Sequence, residues 1–443
     1  MAQDIGFSFV ADEIVAPGTD LVIKIARPFH ARVAQDAISL RRGGNTVPTP
    51  VKVSKADGTV TLSTKALSRG RYYELAVDKA VGKVFLDDSS SVPDLVDSET
   101  VARAIEAQNL GFKGKGVHVA VFENGPIDLS KLEFAGRYTS SPSASDLENH
   151  HSRLTNAIIK NKDSPDKPHG YAPDCDLYSA NSRNNAALLS PHGDRELPEI
   201  AANGTGVSTI GETNSGTSFA APAVAGTAAL IQSVDGSLKT WPEACRAVLF
   251  ASADRNISGG TWAQDLVAKV DASDGAGALN AQLAVLIAQT RANRDNTALV
   301  RGWDAGSLVT ANFDTNTQLS TFKYRIQVPS SALNLKYTVK VALAWDSKVA
   351  LNAAGTATAS TLTNDLDLIV MDSSGMWVGS SSSFDNSYEI VEFTGTKGAA
   401  YDIVVRSWTW PWQAEISYLW YGIAWNVTSR LNILAPGLVE EQI

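Results

Sequence analysis

Three kinds of side chain in this 443-residue sequence can cooperate in one chemistry: a carboxylate, a histidine and a serine. Ser218 lies in "TNSGTSFAAPAVAGTAALIQS" (213–233), where Gly216 and Thr217 precede it and a run of small residues follows. Glu123 closes the apolar run of "GKGVHVAVFENGPID" (114–128), and His150 and His151 stand in "ENHHSRLTNAII" (148–159). A serine hydroxyl is a weak nucleophile until an imidazole takes its proton. The imidazole in turn needs an acceptor on its second nitrogen to hold the tautomer and stabilise the imidazolium. Each residue alone has a plainer explanation. Gly-Thr-Ser can be a helix cap, a histidine before a helix can be one too, and a glutamate ending a strand can simply be solvated. It is the set of three, each at the end of an element, that points to an activated nucleophile.

The elements that must position them fall into three segments. Residues 1–86 alternate in short strands, as in "LVIKIAR" and "RYYELAVDK", with turn signals at Asp57-Gly58 and Gly70; they predict a small β-sandwich. Residues 87–97 are polar, acidic and contain Pro93, and read as a linker. From 98 to 296 helical stretches ("SETVARAIEAQNL", "SFAAPAVAGTAALIQSV", "WPEACRAVLFASA", "ALNAQLAVLIAQTRA") alternate with apolar strands such as "VHVAVF". That mixture predicts an α/β domain with a mostly parallel sheet flanked by helices, where the crevice lies at the carboxyl ends of the strands. From 297 to 443 the strands return, carrying most of the tryptophans, and predict a second β-sandwich of jelly-roll type.

Composition narrows the function. A hydrophobic fraction of 44% and a charged fraction of 19% are those of a globular chain. A net charge of −9 without a Lys/Arg stripe argues against nucleic acid as a partner. Two cysteines, Cys175 and Cys245, make neither a disulfide framework nor a metal cluster. The start has no basic region followed by an apolar core, so no signal peptide is expected, and no apolar run approaches bilayer length. The expectation is a soluble chain without a membrane partner, intracellular as written and secreted if a leader has been removed.

The α/β segment resembles the subtilisin-like serine proteases, or subtilases. "SGTSFAAPAVAG" is similar to the family's Gly-Thr-Ser-x-Ala-x-Pro serine motif almost letter for letter. "GKGVHVAVFENG" resembles the segment that carries the family's aspartate, and "HHSRLTNAI" its His-Gly-Thr-His-Val-Ala-Gly segment. "GYAPDCDLYS" (170–179), "SPHGDRELPEIAANG" (190–204) and "DGAGALNA" (274–281) resemble further family stretches, and the likeness covers roughly 98–296. In the last segment "VALAWDS", "LTNDLDLIVMD" and "AAYDIVVRSW" look like the jelly-roll domain attached to one branch of the family. The resemblance implies a serine endopeptidase acting on a protein or peptide substrate. Ser218 would be its nucleophile, His150 its base and Glu123 the acid that orients the base.

Three departures from the family pattern bear on that expectation. Glu123 stands where the family has Asp, one methylene longer. Matching Leu154 and Ile158 to the family's apolar positions makes His150 the base, whereas a shift by one residue gives that role to His151. Only 68 positions separate His150 from Ser218, far fewer than in the family, and the shortening falls between 182 and 190. The missing stretch normally supplies central strands and the asparagine of the oxyanion hole; Asn181, Asn184 and Asn185 are the candidates left here. Loss of central strands exposes unpaired edges. Two accounts stay open: an internal segment is missing, or the fold is reduced and serves as a pseudoenzyme scaffold for binding. Catalysis by such a triad requires no cofactor. Asp365 and Asp367, on one face of a strand in "NDLDL", are either a solvated strand end or an oxygen pair for structural Ca²⁺.

Overall fold

In the computed structural model the structure describes residues 95–122, 131–138, 150–162, 170–180, 199–254, 275–331, 335–352, 357–362, 364–384, 386–409 and 417–431. It also gives the backbone of eight strands before residue 87. The chain divides into two compact units, Met1–Val92 with Ile433–Ile443, and Pro93–Asn432. The first unit holds β1 (Gln3–Val10), β2 (Asp20–Ile25), β3 (Ile38–Arg42), β4 (Asn45–Val47), β5 (Val51–Ser54), β6 (Thr59–Ser63), β7 (Tyr72–Asp78) and β8 (Val84–Leu86). They form two four-stranded antiparallel sheets, β1-β7-β3-β4 and β5-β6-β2-β8. β5 and β6 pair antiparallel, Ser54 opposite Thr59, while the predicted turn at Asp57-Gly58 lies outside the described residues.

The second unit opens with α1 (Leu95–Val101) and α2 (Ala104–Asn109). The sequence predicts one helix here, and the break has a local cause: Arg103 adopts a left-handed φ of 53°, which interrupts the α-helical hydrogen-bond ladder. β9 (His118–Phe122), β10 (Gly136–Tyr138) and β11 (Asp176–Ala180) form a parallel sheet in the order β10-β11-β9. Around it lie α3 (His150–Ile159), the hairpin of β12 (Val207–Thr209) and β13 (Glu212–Asn214), and α4 (Thr217–Val234). α5 (Pro242–Ser252) and α6 (Ala281–Ala288) complete the layer. α4 is 18 residues long with a mean hydropathy of 1.2, enough by length and composition alone to cross a membrane, which corrects the expectation that no apolar run approaches that length. In this unit eight of its residues are buried, Leu230 and Ile231 among them. Its small residues permit close approach: a Cβ at Gly226 would stand 2.4 Å from Tyr171 Cβ.

Beyond residue 300, β14 (Arg301–Leu308), β16 (Leu335–Trp345), β21 (Tyr388–Gly395) and β23 (Leu419–Leu431) form one antiparallel sheet in the order β14-β23-β16-β21. β15 (Tyr324–Gln327), β19 (Leu366–Met371), β20 (Trp377–Ser381) and β22 (Ala400–Ser407) form a second, ordered β15-β22-β19-β20. β17 (Ser347–Leu351) and β18 (Ala357–Leu362) make a separate ribbon. The two larger sheets share a core that includes Trp345, Trp425, Tyr324 and Tyr421. Alternation along β16 sends Val341, Leu343 and Trp345 into that core, and sends Ala342 and Ala344 to the opposite face. That opposite face belongs to the core of the α/β helices. Buried on both faces, β16 reads as the nearly continuous apolar run "VALAW".

The helices meet this small-residue face at backbone distance. A Cβ at Gly422 would stand 2.2 Å from the Ala244 amide nitrogen. Lys340 Nζ donates to the Ala253 carbonyl at 2.9 Å, just past the end of α5, and to the Ala276 carbonyl. Trp303 Nε1 donates to Ala288 O at 2.9 Å. Residues on both sides of position 297 therefore lie in one compact unit. Trp408 is exposed, under the Arg406 guanidinium at 4.4 Å, and 410–412 lie outside the described residues. Trp420 also meets the helical side, edge-on to Trp241 at 5.0 Å.

Candidate active site

Ser218 is the second residue of α4 and is half-buried. The capping explanation of Gly-Thr-Ser does not hold, because Gly216 is the N-cap and no side chain caps this end. The first-turn amides thus have no side-chain cap, and the positive end of the helix dipole lies at the turn that carries Ser218. Pro222, four residues on, has no N–H, so the Ser218 carbonyl receives no helical bond from that position. The turn is held from outside. Gly216 N–H donates to Gly204 O at 2.7 Å, and a Cβ at Gly204 would stand 2.5 Å from the Gly216 carbonyl oxygen. Gly206 N–H donates to Ser215 Oγ at 2.8 Å.

The hairpin leading into this turn was not foreseen from the sequence. β12 and β13 pair with Val207 opposite Asn214 and Thr209 opposite Glu212. Ile210 and Gly211 join them at φ 51° and 85°, the two positive values that a two-residue type I′ turn requires. Its signal, a Gly flanked by short polar-apolar alternation in "VSTIGETN", is weak because an isoleucine at positive φ is rarely written into such turns.

α3 carries both histidines on its first turn. His150 opens the helix, and its side chain is outside the described residues. His151 is half-buried, with its ring centroid 5.4 Å from that of Phe219, the residue after Ser218. α3 is pinned to the hairpin in two further places. Arg153 Nη1 lies 2.6 Å from Glu212 Oε1, and Asn161 Nδ2 donates to Thr209 Oγ1 at 3.3 Å. The structure therefore brings the histidine helix and the serine helix together. Glu123 follows directly on β9 and, like Asn181, Asn184 and Asn185, lies outside the described residues.

The acidic pair of the last segment has its own surroundings. Asp367 is buried, which raises its carboxyl to about 6 against the pull of Arg406 Nη1 at 3.7 Å. The Asp365 carbonyl accepts from the Trp408 amide at 2.9 Å. Glu389 lies fully buried nearby and is held well above the carboxylate range by that burial, with Ser381 Oγ and the Ser383 amide donating to it. Among the described residues no group of three or more His, Cys, Asp or Glu side chains could hold a metal ion.

Residues 176–282 match the Subtilase family (Peptidase_S8), a span that includes Ser218 but neither Glu123 nor His150. No curated protein matches the chain. Among solved structures, that of MycP1 from Mycobacterium smegmatis is 17% identical, with a TM-score of 0.31, covering 42% of this chain and 83% of that one. MycP1 with its N-terminal propeptide removed is 18% identical, with a TM-score of 0.30, covering 42% and 96%. The stretch that matches the Subtilase family, 176 to 282, carries Ser218 at the head of its long helix.

Proposed function

We propose that the chain is a serine endopeptidase. The observation that carries this reading is the place of Ser218, half-buried on the uncapped first turn of α4 and inside the subtilase-matched stretch. In the proposed reaction Ser218 Oγ attacks the peptide carbonyl carbon while its proton passes to His150. Glu123 accepts the other imidazole N–H and orients the ring. The negative oxygen of the tetrahedral intermediate takes the Ser218 N–H, with Asn181, Asn184 or Asn185 as second donor. Collapse breaks the C–N bond, returns the proton to the departing amine and leaves an acyl-enzyme. Water, deprotonated by the same histidine, then hydrolyses it. Nothing in this sequence of steps draws on a cofactor. The packing of His151 against Phe219 favours a second assignment, in which His151 is the base.

The contrasting reading is a binding scaffold that has lost catalysis. It is motivated by a family match that begins only at residue 176, beyond both partners of the serine. A fluorophosphonate probe on the full chain separates the readings. The endopeptidase reading expects labelling that disappears in Ser218→Ala, in Glu123→Gln falls by several orders of magnitude, and is lost in whichever of His150→Ala and His151→Ala removes the base. No labelling anywhere between about pH 5 and pH 10, a window spanning the titration of histidine, leaves the scaffold reading.

A further inference from the structure

We propose that the ion pair between Arg153 and Glu212 is a positioning device that sets the histidine helix against the serine turn. The proposal rests on the endopeptidase reading and adds two residues to it that carry no part of the serine motif. Arg153 lies on α3 three residues after His150 and two after His151, so it shares their end of the helix. Glu212 lies on β13 four residues before Gly216, the N-cap of the helix that carries Ser218. Their contact, at 2.6 Å between Nη1 and Oε1, links the two elements directly.

The link is stiff on both sides. Glu212 is paired across the hairpin with Thr209, whose hydroxyl accepts from Asn161 just beyond the end of α3. The hairpin is thus gripped near both ends of the helix. Its turn has only two residues, both at positive φ, which fixes the strand register. At its base the Gly216–Gly204 and Gly206–Ser215 hydrogen bonds stop β13 from swinging. A shift of α3 relative to Ser218 must therefore break the ion pair or bend this hairpin. The side chains are about a fifth and under a third exposed, so the charges are only partly screened. A pair of that exposure contributes little to global stability. Small displacements of a reacting group are costly in rate, however, with about 1 Å sufficient to lose 10²-fold. Position is the quantity such a pair controls.

Arg153→Gln, Glu212→Gln and the charge-exchanged R153E/E212R test it in the full-length protein, using the rate of fluorophosphonate labelling of Ser218. Each single variant is expected to lower the maximal inactivation rate about tenfold or more, within the range known for misplaced groups, with the half-saturating probe concentration and the melting temperature little changed. The exchanged pair is expected to recover most of the loss. Labelling of both single variants at the wild-type rate overturns the proposal and leaves the endopeptidase reading intact. A loss that R153E/E212R does not recover, accompanied by a fall in melting temperature, overturns it as well, since the pair is then only structural. A wild type that is never labelled removes the endopeptidase reading and this proposal with it.

Discussion

The helix that carries Ser218 and the sheets beyond residue 300 both achieve dense burial, with opposite residues. α4 is rich in small residues, 11 of its 18 being Ala, Gly, Ser or Thr, and approaches Tyr171 through a glycine that has no room for a methyl group. The core between the paired sheets is filled by Trp345, Trp425 and the fully buried Tyr324, Tyr337 and Tyr421. In the first region the side chains set how near two backbones come, and the result is a positioned functional group. In the second they supply apolar area, and the result is mass behind the helices. A region of the first kind is injured by adding atoms, and one of the second kind by removing them.

Trp425→Ala gives the largest effect on that comparison. The indole is fully buried, lies against Gly302 and donates to Leu299 O at 3.2 Å. Truncation is expected to cost about 3–5 kcal/mol, the range for large aromatic residues in cores. Denaturant unfolding followed by circular dichroism measures it. A loss below about 1 kcal/mol, smaller than almost any such truncation, would mean that the sheets are loosely packed and the contrast is false.

Gly226→Ala comes next and acts in the opposite sense. One added methyl must displace the Tyr171 backbone or tilt α4, and overpacking of this kind costs about 1–3 kcal/mol. The same denaturant titration gives the number, and the rate of Ser218 labelling reports whether the tilt reaches the first turn. If Gly226→Ala is neutral or stabilising, as alanine is in an unconstrained helix, the close approach is not what holds α4 in place.

How legible each region was in the sequence follows from the same contrast. The serine turn, β9 and α4 could be read because their chemistry is local: Gly-Thr-Ser with a small-residue helix is one continuous string. The strands beyond 300 could be read from alternation. What escaped depends on partners far away in the chain. Nothing in "VARAI" announces that Arg103 turns left-handed. Glu212 and Arg153, 59 residues apart, carry no mutual signal. The division of β16 into an aromatic-core face and an alanine face against the helices became meaningful only once α5 was seen on it. The same holds for Trp420, where a tryptophan-rich tail identified the residue type and could not say which tryptophan meets Trp241.

The last expected effect, one that appears only as the pH is varied, lies where helices and sheet meet. Glu243, on the first turn of α5, is buried with its carboxyl hydrogen-bonded to that of Asp346. Burial first, and then the Asp346 carboxyl, raise it from its ordinary 4.5 to about 7, with its own backbone amide and Arg246 pulling the other way. Arg246 is itself engaged by Glu199 at 2.8 Å, which blunts that pull. The folded chain therefore holds a proton on Glu243 over an interval in which the unfolded chain has released it. Between about pH 4.5 and pH 7 the native state binds more protons, so this group's contribution to stability falls as pH rises and is flat on either side. Asp367 and Glu389 are shifted in the same direction, so a pH profile of the wild type alone cannot isolate Glu243. Glu243→Gln can, because it keeps the shape and removes the titration. Melting temperatures of the two proteins, measured at pH 4, 5.5 and 8, should move apart with rising pH in favour of the glutamine variant. The divergence should be complete by about pH 8, one unit above the raised value. Parallel curves would mean that Glu243 ionises in the native state as it does in the unfolded one. The junction between helices and sheet would then tolerate a charge that its packing gives no reason to tolerate.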